Sequence, residues 1–380
     1  MTQEQYNAFL KNPALILPVD WGNAGSTATI IDLLEKRFED YQKTIDETGN
    51  GIVEAPEELK KVVRESSRLL LESLRARMNR CNTPQSWRHF QECMTLLNPW
   101  IMRYVNRFSI ENRRDESILF RVRRSTESSL PKKEMFHIPF ASRHKVGPQR
   151  FSAIGLPCLY LGSSNYICWQ EFERPSFHEI VGSAFWYKTP ANPPRILNLY
   201  LTPEVIYEVA VREYANNPKL AEPLIEGLAH LWPLLASCSV KLKNRKASFV
   251  PEYIIPQMLL EAVRNEDIAD GISYLSMQSS KFFFESCSVM INYVFPAKEI
   301  RADGICPQLA GLFEWTDAHN WQLLAAIGKL CEYHFTGKEL EIIPGLKQVL
   351  DETDFGIVTN ALCTIAKRNG WNRPQSNVTT

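Results

Sequence analysis

The first hundred residues alternate apolar and polar positions at the spacing of a helix. From Thr29 to Asp46, Ile30, Ile31, Leu34, Phe38, Tyr41 and Ile45 recur every three or four residues, after Ser26 and Thr27 as candidate caps. A second stripe, Leu59, Val62, Val63, Leu70, Leu74 and Met78, follows Pro56-Glu57-Glu58, which is favourable first-turn chemistry. Thr83 and Pro84 open a third helix carrying Trp87, Phe90, Met94 and Leu97.

The pattern changes between Ser109 and Pro131, a charged stretch around the short apolar run "ILF", and a boundary is expected near Glu111. Beyond it, "ESILFRVR", "CLYLG", "EIVGSAFWYK", "RILNLYL", "GISYLSM" and "SVMINYVF" have the length and the aromatic or β-branched content of strands. Helices are expected between them at Pro203–Tyr214, with Thr202 as cap, at Leu220–Leu235 and at Pro251–Asn265. After Pro307 the chain is expected to turn helical again, in "TDAHNWQLLAAIGKLCEYH", capped by Thr316 or Asp317, and then in "PGLKQVLDETDFGIVTNALCTIAKRNGW". The tail "RPQSNVTT" reads as frayed. No repeat or low-complexity tract is present, which disfavours solenoids and propellers.

Composition narrows the class. The chain has 380 residues, 44% hydrophobic and 23% charged, with 43 basic and 43 acidic side chains, so it has the balance of a globular protein and no global positive field to draw it to nucleic acid or an anionic membrane. No stretch approaches the roughly 20 apolar residues of a membrane span, and the start lacks a leader-like apolar run. A cytoplasmic location is the expectation. The nine cysteines are scattered singly, without metal-site spacing, as small core residues in a reducing compartment would be. No metal is expected.

The common motifs are missing: no phosphate loop, no dinucleotide fingerprint, no H-E-x-x-H and no G-x-S-x-G. Arg88 and His89 are adjacent on a helix and point about 100° apart, which argues against a shared phosphate site of the RNase kind. Phe282, Phe283 and Phe284 read as core, or as a lid, rather than a base-stacking platform. What stands out is polar residues in apolar surroundings: Arg121 in "ILFRV", Arg150 and Glu171 at the two ends of "RFSAIGLPCLYLGSSNYICWQE", and Ser276 in "YLSMQSS". Burying such charges costs several kcal/mol unless they are paired, so they either form an Arg–Glu ion pair in the core or line a cleft.

The order "FRV", "MFHIPFASRHKVGPQRFSAIGLPCLYLGSSNYICWQE", "DGISYLSMQSS" resembles the RES domain, named for its arginine, glutamate and serine. The resemblance covers roughly Ile118 to Lys298 and implies an α+β protein. An ADP-ribosyltransferase-like split β-sheet core (113–304) would be flanked by a helical N-terminal domain (1–112) and a helical C-terminal region (305–380).

It further implies an enzyme that consumes NAD as substrate by cleaving the nicotinamide–ribose bond, as glycohydrolase or phosphorylase, with protein ADP-ribosyltransferase as the alternative. Family members are often bacterial toxins paired with an antitoxin, so a growth-arresting toxin or defence effector is expected. Its partners would be NAD, an antitoxin or immunity protein, and a second copy of the chain in a homo-oligomer. From another class, a non-catalytic nucleotide-binding or partner-recruiting module would carry the same flanks.

Residue by residue, the resemblance implies that Arg121 and Arg150 hold the dinucleotide. Tyr160 would meet the nicotinamide, and Glu171 and Ser276 would act at the ribose. Alternation leaves Arg123 on the same face as Arg121, Ser279 and Ser280 lie close to Ser276, and His137 is either structural or within reach of the cleft.

Overall fold

The computed structural model describes residues 3–22, 27–79, 81–106, 118–189, 193–212, 221–244, 247–277, 288–301, 304–331, 337–343 and 345–371. The stretch around Glu111, the three phenylalanines 282–284, Ser279, Ser280 and the end of the tail lie outside them. The chain divides into two compact units. One comprises Met1–Arg107, Pro148–Ala153 and Leu197–Ile268; the other comprises Phe108–Gly147, Ile154–Ile196 and Ala269–Thr380.

In chain order the principal elements begin with helices α1 (Gln3–Leu10), α2 (Ile30–Thr48), α3 (Pro56–Met78) and α4 (Thr83–Asn106). Then follow strands β1 (Ile118–Arg124), β2 (Ser129–Leu130) and β3 (Cys158–Gly162), helix α5 (Asn165–Glu171), and strands β4 (Ile180–Tyr187) and β5 (Ile196–Asn198). Helices α6 (Pro203–Arg212), α7 (Glu222–Cys238) and α8 (Ile254–Asn265) precede strands β6 (Gly271–Leu275) and β7 (Ile291–Pro296). The last part contains α9 (Pro307–Leu312), β8 (Phe313–Trp315), β9 (Ala318–Asn320), α10 (Trp321–Gly328), the hairpin β10 (Glu339–Ile343) and β11 (Leu346–Val349), and α11 (Asp354–Arg368).

The helical unit is built on α7, in which every residue from Leu224 to Cys238 except Glu226 is buried, with α3 and α4 packed against it. Tyr41 of α2 stacks on Trp232 with ring centroids 4.2 Å apart, and its hydroxyl donates to the Ala229 carbonyl at 2.7 Å. Thr29 and Asp32 form the capping box of α2, so the cap is Thr29 rather than Ser26 or Thr27. The helices of the expected N-terminal domain 1–112 fall in a unit that also takes in Pro148–Ala153 and Leu197–Ile268. There α2, α3 and α4 pack on α7, α3 and α4 also on α8, and α1 on α6, all three of these partners coming from the middle of the chain.

The sheet unit is α+β, as expected. Its strands follow the order β2-β9-β4-β1-β3-β7-β6, with β5, on which the chain passes between the units, at the end and β8 also paired with β4. β1 pairs with β4 along its whole length, from Ile118 opposite Trp186 to Arg124 opposite Ile180. Its pairing with β3 is confined to one position, Phe120 opposite Gly162. The sheet therefore parts between β1 and β3, while β3, β7 and β6 continue as a regular antiparallel ladder.

The C-terminal part differs from the expected helical region: Leu346–Val349, expected as helix, is strand β11 paired with β10, and the last helix begins only at Asp354. Thr316 does not cap a helix; its hydroxyl accepts the Ala184 amide and its carbonyl accepts the Ser183 hydroxyl, both from β4. β8 and β9 extend β4, and Asn320 caps α10 by accepting the Gln322 amide at 2.9 Å. Three-residue strands carry no periodicity of their own, and distant pairing fixes them.

α10 and α11 approach closely at Gly328, where a Cβ would lie 2.2 Å from the Ile357 carbonyl oxygen. A Gly328→Ala chain is expected to lose roughly 1–3 kcal/mol, seen as a lowered thermal midpoint, because backbone rather than a flexible side chain would have to move.

Candidate functional site

Glu171 is the last residue of α5, a helix whose position is set at both ends. Ser164 caps it by accepting the Ile167 amide at 3.1 Å while donating to the Val289 carbonyl at 2.6 Å, and Ser163 is bonded to both the amide and the carbonyl of Ile291. The small-residue turn thus ties the start of α5 to the start of β7. Gly162 is needed for packing: a Cβ there would meet the Cys168 sulfur at 2.6 Å and Ile167 at 2.7 Å.

At the other end, Glu173 and Arg174 take left-handed backbone angles, φ +65° and +54°, and their amides return to the Gln170 and Trp169 carbonyls. Each such residue costs about 1–2 kcal/mol. The helix stops immediately after Glu171. Trp169 then holds the turn by donating from Nε1 to the Pro175 carbonyl at 2.8 Å, with the Arg174 guanidinium over its ring.

The C-terminal helix braces this arrangement. Phe355 of α11 meets Tyr166 and Trp169 of α5 with ring centroids 5.2 and 5.1 Å apart, and the Asn165 amide donates to the Thr359 hydroxyl at 2.9 Å. The C-terminal region is thereby part of the sheet unit.

Glu171 is exposed as a residue, but the Oε1 atom of its carboxylate is held. It accepts the Ser276 hydroxyl at 2.5 Å and the Asn292 amide nitrogen at 3.1 Å. Ser276 and Asn292 are both buried. Ser276 directly follows β6, its amide donating to the Met290 carbonyl, and Asn292 lies in β7 opposite both Gly162 and Tyr274. Two expected residues thus meet, and a third, Asn292, joins them. Pattern alone could have found it: an amide in the apolar run "SVMINYVF" is as anomalous as serine in "YLSM".

Arg121 sits at the parting of the sheet. Where β1 and β3 no longer pair, its Nη1 donates to the Tyr160 carbonyl at 2.7 Å, replacing a ladder bond. Its Nε is enclosed and has no hydrogen-bond partner, and no carboxylate pairs with it among the described residues. Burial lowers its pKa to about 10, so it remains cationic at neutral pH. Arg123 is spoken for elsewhere: it is exposed and donates to the carbonyl and carboxylate of Glu134. The core Arg–Glu ion pair, one of the two readings of the sequence, is absent between Arg121 and Glu171.

Cys168, three residues before Glu171, feels both Arg121 and Glu171; burial pushes its thiol up to about 12, and it donates to the Phe120 carbonyl, which makes it unsuited to act as a nucleophile. Tyr160, half-buried in β3, pairs with Val294 two positions from the Gly162–Asn292 pair, so strand alternation puts its side chain on the face that carries Asn292.

Arg150 is not brought to this group. It belongs to the helical unit, where its guanidinium donates to the carbonyls of Cys238 and Val240, at 3.4 and 2.9 Å, and lies over the Tyr253 ring. The carbonyls left open at the end of α7 account for its charge. His137 is structural: Nδ1 donates to the Ile138 carbonyl, Nε2 accepts the Cys306 amide at 2.7 Å, and burial lowers its pKa, so it is held neutral. No group of three or more metal-ligating side chains occurs among the described residues. No helix there is long and apolar enough to cross a membrane.

No protein-family profile matches the chain, and no solved structure matches it. Among curated proteins it is similar to one from Bacillus subtilis (strain 168) named "Putative toxin YopC", with 32% identity over 217 residues. The match takes in 57% of this chain and 49% of the relative, so the chain spans about half the length of the curated relative it matches.

Proposed function

We propose that the sheet unit binds NAD at the parting between β1 and β3 and cleaves its nicotinamide–ribose bond, passing the ribosyl carbon to water or phosphate, within an ADP-ribosyltransferase-like fold. The observation that carries this reading is the Glu171 carboxylate, fixed by Ser276 and Asn292 in the same unit as a half-buried arginine that has no carboxylate partner among the described residues.

Cleavage of this bond sends its electron pair to the pyridinium nitrogen, so nicotinamide leaves neutral and positive charge develops on the ribose ring. A carboxylate held beside that ring stabilises the charge, as in glycoside hydrolysis. Water or phosphate then bonds to the ribosyl carbon, water releasing a proton as it does so. No general acid is required at the leaving group, in keeping with His137 being committed to backbone partners. Arg121, cationic, half-buried and without a carboxylate partner among the described residues, suits an anionic dinucleotide. The name of the Bacillus subtilis relative supports a toxin role, with NAD loss as the means of growth arrest.

Product analysis tests the reading. Purified protein incubated with NAD is expected to release nicotinamide together with free ADP-ribose, or with its 1″-phosphate when phosphate is supplied. Nicotinamide release accompanied by protein-attached ADP-ribose would move the assignment to protein ADP-ribosylation. An unchanged NAD pool would leave a nucleotide-binding module and overturn the catalytic reading.

A further inference from the structure

Glu171 is held asymmetrically. Both buried donors, the Ser276 hydroxyl and the Asn292 amide, converge on Oε1, while Oε2 has no hydrogen-bond partner among the described residues. A carboxylate only accepts, so the Asn292 atom facing it is the NH2 group. Asn292 is itself held by its strand, opposite Gly162 on β3 and Tyr274 on β6. The backbone of each donor is fixed, Asn292 within the β7 ladder and Ser276 by its amide on the Met290 carbonyl.

We propose that Asn292 is a positioning residue for the reaction. With Ser276 it clamps Oε1, so that the side chain of Glu171 is locked in one rotamer and Oε2 alone is presented to the ribose. The inference rests on the function proposed above, since it assigns the two oxygens of that carboxylate different work. Ser276 alone would leave the carboxylate free to rotate about its single bond to the hydroxyl. Two donors from different strands, β7 and the residue after β6, define a direction as well as a distance. An exposed glutamate side chain otherwise samples several rotamers, and each misdirected rotamer takes the carboxylate out of reach of the developing charge.

An Asn292→Asp chain makes the distinction. Its new carboxylate would stand where the NH2 group stood, about 3 Å from Oε1, and would repel Glu171. As the pH falls, one proton shared between the two carboxylates restores a donor. The ionisable groups that face this point from neighbouring elements are the Cys168 thiol on α5, pushed to about 12, Arg121 on β1, at about 10, and the Tyr160 and Tyr274 phenols on β3 and β6. The thiol and the guanidinium titrate well above pH 8. His137, whose charge state responds to Arg121, is common to every chain compared.

At pH 7.5 the Asn292→Asp chain is expected to show kcat for nicotinamide release lowered about 10- to 100-fold with KM for NAD changed less than about threefold, which is the signature of an interaction made in the transition state. Between pH 8 and pH 5 its kcat should rise at least fivefold relative to the unaltered chain. Asn292→Leu, of similar volume and without a donor, should lose kcat to the same extent and recover nothing in acid. Wild-type kcat in the leucine variant, a raised KM with unchanged kcat, or a loss in the aspartate variant that does not depend on pH would each overturn the proposal. Nicotinamide release by the unaltered chain in the same assay keeps the proposed function intact in all three cases. Absence of that release would overturn both together.

Discussion

A Glu171→Gln chain is expected to release nicotinamide from NAD about a hundred- to a thousandfold more slowly than the unaltered protein, with its affinity for NAD and its thermal midpoint nearly unchanged. Glutamine keeps an oxygen for Ser276 and Asn292 to bind and replaces only the unpartnered oxygen, Oε2, with an amide nitrogen. Geometry survives while the negative charge is lost. Removing a single preorganised electrostatic contact of this kind costs about 10²–10³ in rate. Glu171 is exposed and at a helix end, so stability should move by less than about 0.5 kcal/mol. A rate within threefold of the unaltered chain, measured as nicotinamide produced under saturating NAD, would remove Glu171 from the chemistry.

The second large effect is on binding. Arg121→Lys keeps the positive charge but loses the planar fork, and KM for NAD, or Kd measured by titration calorimetry, is expected to rise about tenfold or more; kcat should change less. Loss of a charge-assisted hydrogen bond is worth roughly 1.5–3 kcal/mol, which corresponds to about ten- to a hundredfold. Burial depresses the pKa of Arg121 in the folded chain, so its charge is a cost to folding that grows as the pH falls from the ordinary value of 12.5 through about 10 and is fully present at neutral pH. A bound pyrophosphate relieves that cost. The unaltered protein should therefore gain thermal stability from NAD or ADP-ribose at pH 7.5. Its affinity for them should fall once the pH passes about 10. Unaltered affinity in Arg121→Lys would place the phosphates elsewhere.

Much of this site is legible along the chain because a polar side chain in an apolar run must have a reason. Arg121, Glu171 and Ser276 stand out on that ground and again by resemblance to a family, and the structure gathers the glutamate and the serine through a direct hydrogen bond. Asn292 answers the same criterion, but one polar side chain in "SVMINYVF" carries no family signature. Arg150 shows the opposite failure. A motif places it beside the cleft residues, yet the six residues Pro148–Ala153 fold with the helices, where open carbonyls at the end of α7 take the guanidinium.

The organisation of the units was harder to read for a related reason. α7 is apolar on nearly every side, which indicates a central helix but not which elements surround it. β8 and β9 are too short to show alternation and exist because β4 supplies their partners. The parting between β1 and β3 has no signature at all in the sequence, since it consists of hydrogen bonds that are not made.

The most direct measurement is a proton NMR time course of NAD with the unaltered protein and, beside it, the Glu171→Gln chain. The account predicts that the nicotinamide ring signals of NAD give way to those of free nicotinamide with the unaltered protein, while the variant, though still binding NAD, leaves them almost unchanged. NAD that stays intact with the unaltered protein, or is consumed equally fast by both, would contradict it.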